Sequence, residues 1–214
     1  LNRTGLPPLG VLGGSFDPVH AGHLALARAA AQHLGLEQVL WVPAGQPWQK
    51  PGVLAARHRV AMLECALAGV PGWSVDRREV DRTGPSYTVD TLGALRAELG
   101  SGRPLVLIMG EDQFARLDSW HRWQALAELA HIAVAVRPGT AARLSPALQA
   151  YLAGRPDTPA ALAQPAGAVV RVPMEPVDCA SRSLRAQLAA NPLARPAALP
   201  PAVLDYIAEH QLYR

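Results

Sequence analysis

Two histidines three residues apart, His20 and His23, stand in the stretch GGSFDPVHAGHL at residues 13–24. At the start of a helix, side chains at that spacing face the same way. Imidazoles donate hydrogen bonds to an anion, and a bound phosphate favours their charged form. The neighbouring residues suit the same task. Gly13 and Gly14 lack a Cβ, so their backbone N–H groups can approach a ligand, and Gly22 leaves room between the rings. The helix that follows offers unpaired N–H groups and a positive dipole end, and Asp17-Pro18 reads as a turn. The pattern is neither G-x-G-x-x-G nor G-x-x-x-x-G-K-[ST], yet it has the parts of a polyphosphate site. The same two histidines could share a metal ion, but no further His, Cys or carboxylate cluster completes a ligand set, so no metal site on the protein is expected.

The elements that would position this stretch follow from hydrophobic patterning. Short apolar runs at 9–12, 39–42, 73–75, 105–109, 132–136 and 169–172 read as strands. Segments of helical period at 20–34, 54–68, 89–99, 120–129, 145–153, 183–190 and 201–210 lie between and after them. Strands alternating with helices predict an α/β fold, a doubly wound parallel sheet covered on both faces. In such a sheet ligands bind beyond the carboxyl ends of the strands, where the strand order reverses. The turns GGSFDPVH, PAGQPWQKP, GEDQF and VRPGT, with EPVDCAS before the penultimate helix, are therefore where a site is expected. Residues 154–167, rich in Pro, Ala and Gly, read as a surface loop.

The chain has 214 residues, half of them hydrophobic. That length fits a single domain spanning 1–214, with the last helices, about 181–214, as a C-terminal helical subregion. No apolar run approaches a membrane span, and LNRTGLPPLG has no apolar core of a secretory signal, so a cytoplasmic protein is expected. Cys65 and Cys179 match no metal spacing and read as reduced thiols. The formal net charge is +3, with the basic residues scattered and Lys50 the only lysine. That balance suits a small polyanion, and neither a nucleic-acid nor a membrane partner is expected.

GGSFDPVHAGHL resembles the G-G-x-F-D-P-x-H-x-G-H signature of nucleotidylyltransferases. QPWQK at 46–50, PSYTVDTL at 85–92, GEDQF at 110–114, SWHRW at 119–123, RPG at 137–139 and LYR at 212–214 are similar, in the same order, to the bacterial nicotinate-nucleotide adenylyltransferase family. The resemblance implies a Rossmann-like nucleotidylyltransferase fold and transfer of AMP from ATP to nicotinate mononucleotide, giving deamido-NAD and pyrophosphate, with Mg²⁺ accompanying ATP. It implies that His20 and His23 hold the ATP phosphates with the backbone of Gly13, Gly14, Ser15 and Phe16, and that Lys50 reaches a phosphate from its loop. Tyr87 and Thr88, opening a helix, would receive the nicotinate carboxylate, Trp120 would stack on the pyridine ring, and Asp112 would contact a ribose or orient a partner. The family's P-P-H-[KR] is here PWQK, with Trp48 and Gln49 in place of Pro and His. Its I-S-S-T-x-I-R, opening a helix that binds ATP phosphates, is here CASRSLR: Arg185 keeps the family position and Ser181 matches the second hydroxyl, so both are implied ATP-phosphate contacts, and Ala180 and Arg182 replace the first serine and the threonine. A sister enzyme acting on phosphopantetheine or nicotinamide mononucleotide, or a non-catalytic nucleotide-binding module, are the alternatives. PSYTVDTL with the Trp120 segment favours the nicotinate enzyme.

Overall fold

The computed structural model describes residues 5–47, 52–136 and 143–214. Six strands form one sheet: β1 (Leu9–Gly14), β2 (Gln38–Pro43), β3 (Trp73–Val75), β4 (Leu105–Gly110), β5 (His131–Val136) and β6 (Val169–Pro173). Every pairing is parallel, and the spatial order is β3-β2-β1-β4-β5-β6. The order reverses between β1 and β4, which are paired from Leu9↔Leu105 to Val11↔Leu107. Their carboxyl ends therefore lie side by side at the position where such sheets bind ligands.

Alternation along each strand builds two cores. On one face Leu12, Trp41, Val106, Ile108 and Val170 pack with α1 (Ala21–Leu34), α2 (Ala56–Leu67), α7 (Ser181–Ala190) and α8 (Pro201–Glu209). On the other, Val11, Leu105, Leu107, Met109 and Val134 pack with α3 (Thr88–Leu99), α5 (Leu126–Leu129) and α6 (Pro146–Leu152). A four-residue turn of helix, α4 (Glu111–Phe114), follows β4 directly. Strands buried on both faces explain the unbroken apolar runs of the sequence. None of the described helices is long and apolar enough to cross a membrane.

Two expectations need correction. The helix expected at 120–129 does not form as one piece: Trp120 is extended, Arg122 takes a left-handed conformation at φ 50°, and a 3₁₀ turn at Trp123–Ala125 leads into α5. A non-glycine residue in that conformation breaks the helical ladder, so Trp120 and Trp123 do not share one helix face. The stretch at 154–167 is not only loop, because a 3₁₀ segment at Pro159–Ala163 inserts Leu162 into the first core.

His131, at the start of β5, is 1% exposed. Its Nε2 lies 2.8 Å from Gln164 O and its Nδ1 accepts from Ala168 N–H at 3.1 Å. Those partners hold it neutral with the proton on Nε2, and burial is the main cause lowering its pKa below 6.5. The unfolded chain thus takes up this proton first as pH falls. The contribution is complete above about pH 6.5 and is lost towards the lower folded value, at up to about 1.4 kcal/mol per pH unit. Urea unfolding from about pH 7.5 down to 5, paired with an NMR titration of His131, checks this. A His131 titrating at its ordinary value would exclude it.

Candidate active site

β1 ends at Gly14, and the chain turns through Ser15–Val19 before α1 begins. The chain reverses at Phe16, whose φ is 49°. The Phe16 ring folds back under the turn, where it contacts Trp41 and meets His23 edge-on at a centroid distance of 5.1 Å. A Cβ on Gly14 would lie 3.0 Å from that ring, so any larger residue there would push the ring back by a few tenths of an ångström.

His20 is the N-cap residue of α1, extended at φ −148° and ψ 172°. His23 is three residues into the helix. The rings stack with centroids 3.8 Å apart, and His20 N–H donates to His23 Nδ1 at 3.3 Å. The two imidazoles thus form one face beside the carboxyl end of β1. The amides of the first helical turn, expected as anion donors, are instead occupied. Ala21 N–H donates to Ala198 O at 2.7 Å, and Gly22 N–H donates to Cys179 Sγ at 3.2 Å. The segments leading into α7 and α8 cap this helix from outside.

Asp17 is the hub beneath that turn and is 3% exposed. Tyr213 Oη donates to its Oδ1 at 2.6 Å, and Leu54 N–H donates to Oδ2 at 3.4 Å. Arg185, on α7, donates from Nη1 to Asp17 O at 2.6 Å and lies 3.7 Å from Oδ2. Ser181, the first residue of α7, donates to Pro18 O at 3.4 Å. Burial, then the Asp17 carboxylate, pushes the Tyr213 pKa far above its usual value, so the phenol keeps its proton and donates. Arg59 is the second tie. Its guanidinium, 1% exposed, donates to Leu54 O, Ser15 O and Ala44 O at 2.7, 2.9 and 2.7 Å. Burial lowers its pKa, opposed by Asp17. It fixes the β1 turn against the β2 turn through carbonyls alone.

The start of α3 lies across the β2 turn. Gly45 N–H and Gln46 N–H donate to Ser86 Oγ at 3.0 and 3.2 Å. Behind them Glu79 is buried and accepts from Thr91 Oγ1 at 2.5 Å, with burial the main cause raising its pKa. Tyr87 is the N-cap of α3 and Thr88 its first residue. The earliest intrahelical amides are those of Asp90 and Thr91, both donating to Tyr87 O, so the N–H groups of Thr88 and Val89 precede the ladder. The Tyr87 ring stacks on His121 at 4.3 Å, which draws the SWHRW segment to this helix end. Trp120 is partly buried against the second core. Asp112 is exposed on α4 just past β4. Ser181 and Arg185 thus gather with His20 and His23 around the β1 turn, and His121 joins Tyr87 and Thr88 at the α3 start. Lys50, Trp48, Gln49 and the RPG stretch lie outside the described residues.

The cytidylyltransferase-like family model matches residues 11–184. A Laribacter hongkongensis protein named "probable nicotinate-nucleotide adenylyltransferase" is 48% identical over 210 residues, covering 96% of this chain and 94% of its own. The chain belongs to the nicotinate-nucleotide adenylyltransferase family. A Dechloromonas aromatica member of the same name is 45% identical, covering 97% and 98% of the two chains. A solved Plasmodium falciparum nicotinic acid mononucleotide adenylyltransferase, complexed with NaAD, superposes with a TM-score of 0.68 at 15% identity, over 97% of each chain. That likeness establishes the Rossmann-like nucleotidyltransferase fold. In this chain Cys179, Asp17, Arg59, Tyr213 and His121 make contacts around the site that the sequence did not assign. Asp17 and Tyr213 fell inside the FDP and LYR motifs, which was the available signal. Cys179 and His121 likewise lay inside CASRSLR and SWHRW, whereas Arg59 belonged to no such motif.

Proposed function

We propose that the chain transfers AMP from ATP to nicotinate mononucleotide, forming deamido-NAD and releasing pyrophosphate, as a step of NAD biosynthesis. The observation that carries this reading is the stacked His20–His23 pair at the carboxyl end of β1, in a chain nearly half identical to members of the family. The acceptor's phosphate oxygen attacks the α-phosphorus, forming one P–O bond, while the bond to the pyrophosphate oxygen breaks. The nucleophile is already an anion, so the site needs no general base. What it supplies is alignment and donors for charge developing on the phosphoryl oxygens. In this reading His20 and His23 donate to the ATP phosphates, with Gly13, Gly14, Ser15 and Phe16 lining the path. Arg185 and Ser181 hold the turn from below and bring the start of α7 to it, and Lys50 adds a positive charge. Thr88 and Tyr87 receive the nicotinate carboxylate, Trp120 the ring, and Asp112 the sugar.

Mg²⁺ would arrive with ATP. Among the described residues no group of three or more His, Cys, Asp or Glu could hold an ion, and Mg²⁺ in nucleotide sites is held largely by phosphates and water. The ion neutralises triphosphate charge when bound. The proposal includes a cytoplasmic location, supported by both cysteines being thiols rather than half-cystines. The test is pyrophosphate release from ATP with a panel of acceptors: nicotinate mononucleotide, nicotinamide mononucleotide and phosphopantetheine. Release is expected with the first far above the others, and a phosphopantetheine preference would overturn the reading.

A further inference from the structure

We infer that Cys179 is a positioning residue for His20, holding the ring plane and fixing which nitrogen carries the proton. The inference rests on the role proposed for His20 above. Cys179 lies just before the N-cap of α7, its backbone tightened by a bond from its own N–H to Val177 O at 2.9 Å. Its sulfur sits 3.3 Å from His20 Nδ1 and accepts from Gly22 N–H at 3.2 Å. The pocket around it has no slack. A Cβ on Gly22 would lie 2.8 Å from that sulfur and 3.2 Å from His20 Nδ1 and Cε1. Nδ1 therefore faces the start of α1 and the thiol, and Nε2 lies on the other side of the ring.

A thiol is both donor and acceptor. With its lone pair engaged by Gly22 N–H, S–H can donate to Nδ1, which places the proton of a neutral imidazole on Nε2. When a phosphate draws a second proton onto the ring, Nδ1–H donates to the sulfur instead. The same side chain thus supports the ring in both states, with Nε2–H kept as the phosphate donor. Cys179 occupies the position of the isoleucine in the I-S-S-T-x-I-R pattern, so this support belongs to the CASRSLR departure. It also ties α7 to the histidine face, beside the Ser181 and Arg185 contacts to Pro18 and Asp17.

The test compares Cys179→Ala, Cys179→Ser and Cys179→Ile, using imidazole ¹⁵N shifts of the substrate-free protein together with kcat and KM. The wild type is expected to show His20 as the Nε2–H tautomer. The alanine and isoleucine variants are expected to move the Nδ1 resonance and lower kcat by about 3- to 10-fold, as for one neutral hydrogen bond, with KM for nicotinate mononucleotide unchanged. Serine, which keeps a donor and an acceptor, should restore both. Unmoved His20 shifts in the alanine variant would overturn the inference. So would isoleucine restoring kcat while serine does not, which would mean that Cys179 only fills space. The spectra are recorded without substrates, so they stand or fall apart from the identity of the acceptor.

Discussion

His20→Ala and His23→Ala are each expected to lower turnover at saturating ATP by about 10²–10³-fold while the fold persists. Removing one preorganised donor aimed at developing charge costs roughly 2.7–4 kcal/mol. The rings are stacked 3.8 Å apart on a turn held by Asp17, Arg59 and Tyr213, so they need little reorganisation when charge appears. The first-turn amides of α1 are taken by Ala198 O and Cys179 Sγ, so they offer no substitute for a lost ring. The fold should survive because neither ring anchors a core: the apolar contacts of the turn run through Phe16 and Val19, which are 1% and 0% exposed. Turnover with circular dichroism as folding control decides the matter. Near-normal turnover in both variants would remove these roles, and stoichiometric zinc or iron in the purified protein would revive a shared metal ion.

The sheet was readable because its strands are buried on both faces and so appear as apolar runs. All six lie where those runs are, none extended by more than two residues, and the added ends are polar, glycine or proline, such as Gly13-Gly14, His131 or Pro173. Trp120 misled because Trp, Leu and Ala recur at helical spacing through 120–129, while the left-handed Arg122 that interrupts them has no sequence mark. The histidine face was legible since its residues are contiguous in the chain. Its supports were not: Cys179 reaches His20 across 159 residues and Tyr213 reaches Asp17 across 196. Nor could patterning show that α1's amides are spent, because their partners come from segments that precede α7 and α8.

The second large effect is acceptor choice: kcat/KM for nicotinate mononucleotide should exceed that for its amide by about 10- to 10³-fold. α3 is twelve residues long, and its first amides, at Thr88 and Val89, precede the first intrahelical bond. Its position is fixed by Ser86, which receives Gly45 N–H and Gln46 N–H, and by the Thr91–Glu79 bond. A carboxylate placed at Thr88 accepts from N–H groups and meets the positive end of the helix. An amide there has no full charge and turns its NH₂ towards donors. Charge-assisted hydrogen bonds contribute about 1.5–3 kcal/mol, and the helix end about 0.3–1 kcal/mol. Asp90, an exposed carboxylate in the same first turn, works against a second anion and sets the lower end of the range. Trp120→Ala should weaken both acceptors alike, because stacking on a pyridine ring does not read the carboxylate. The measurement is kcat/KM for each mononucleotide with the wild type and with Trp120→Ala. Equal efficiency on the two acceptors in the wild type would refute the helix-end argument and make the protein a dual-specificity enzyme. A Trp120→Ala loss confined to nicotinate mononucleotide would instead place the indole beside the carboxylate rather than on the ring.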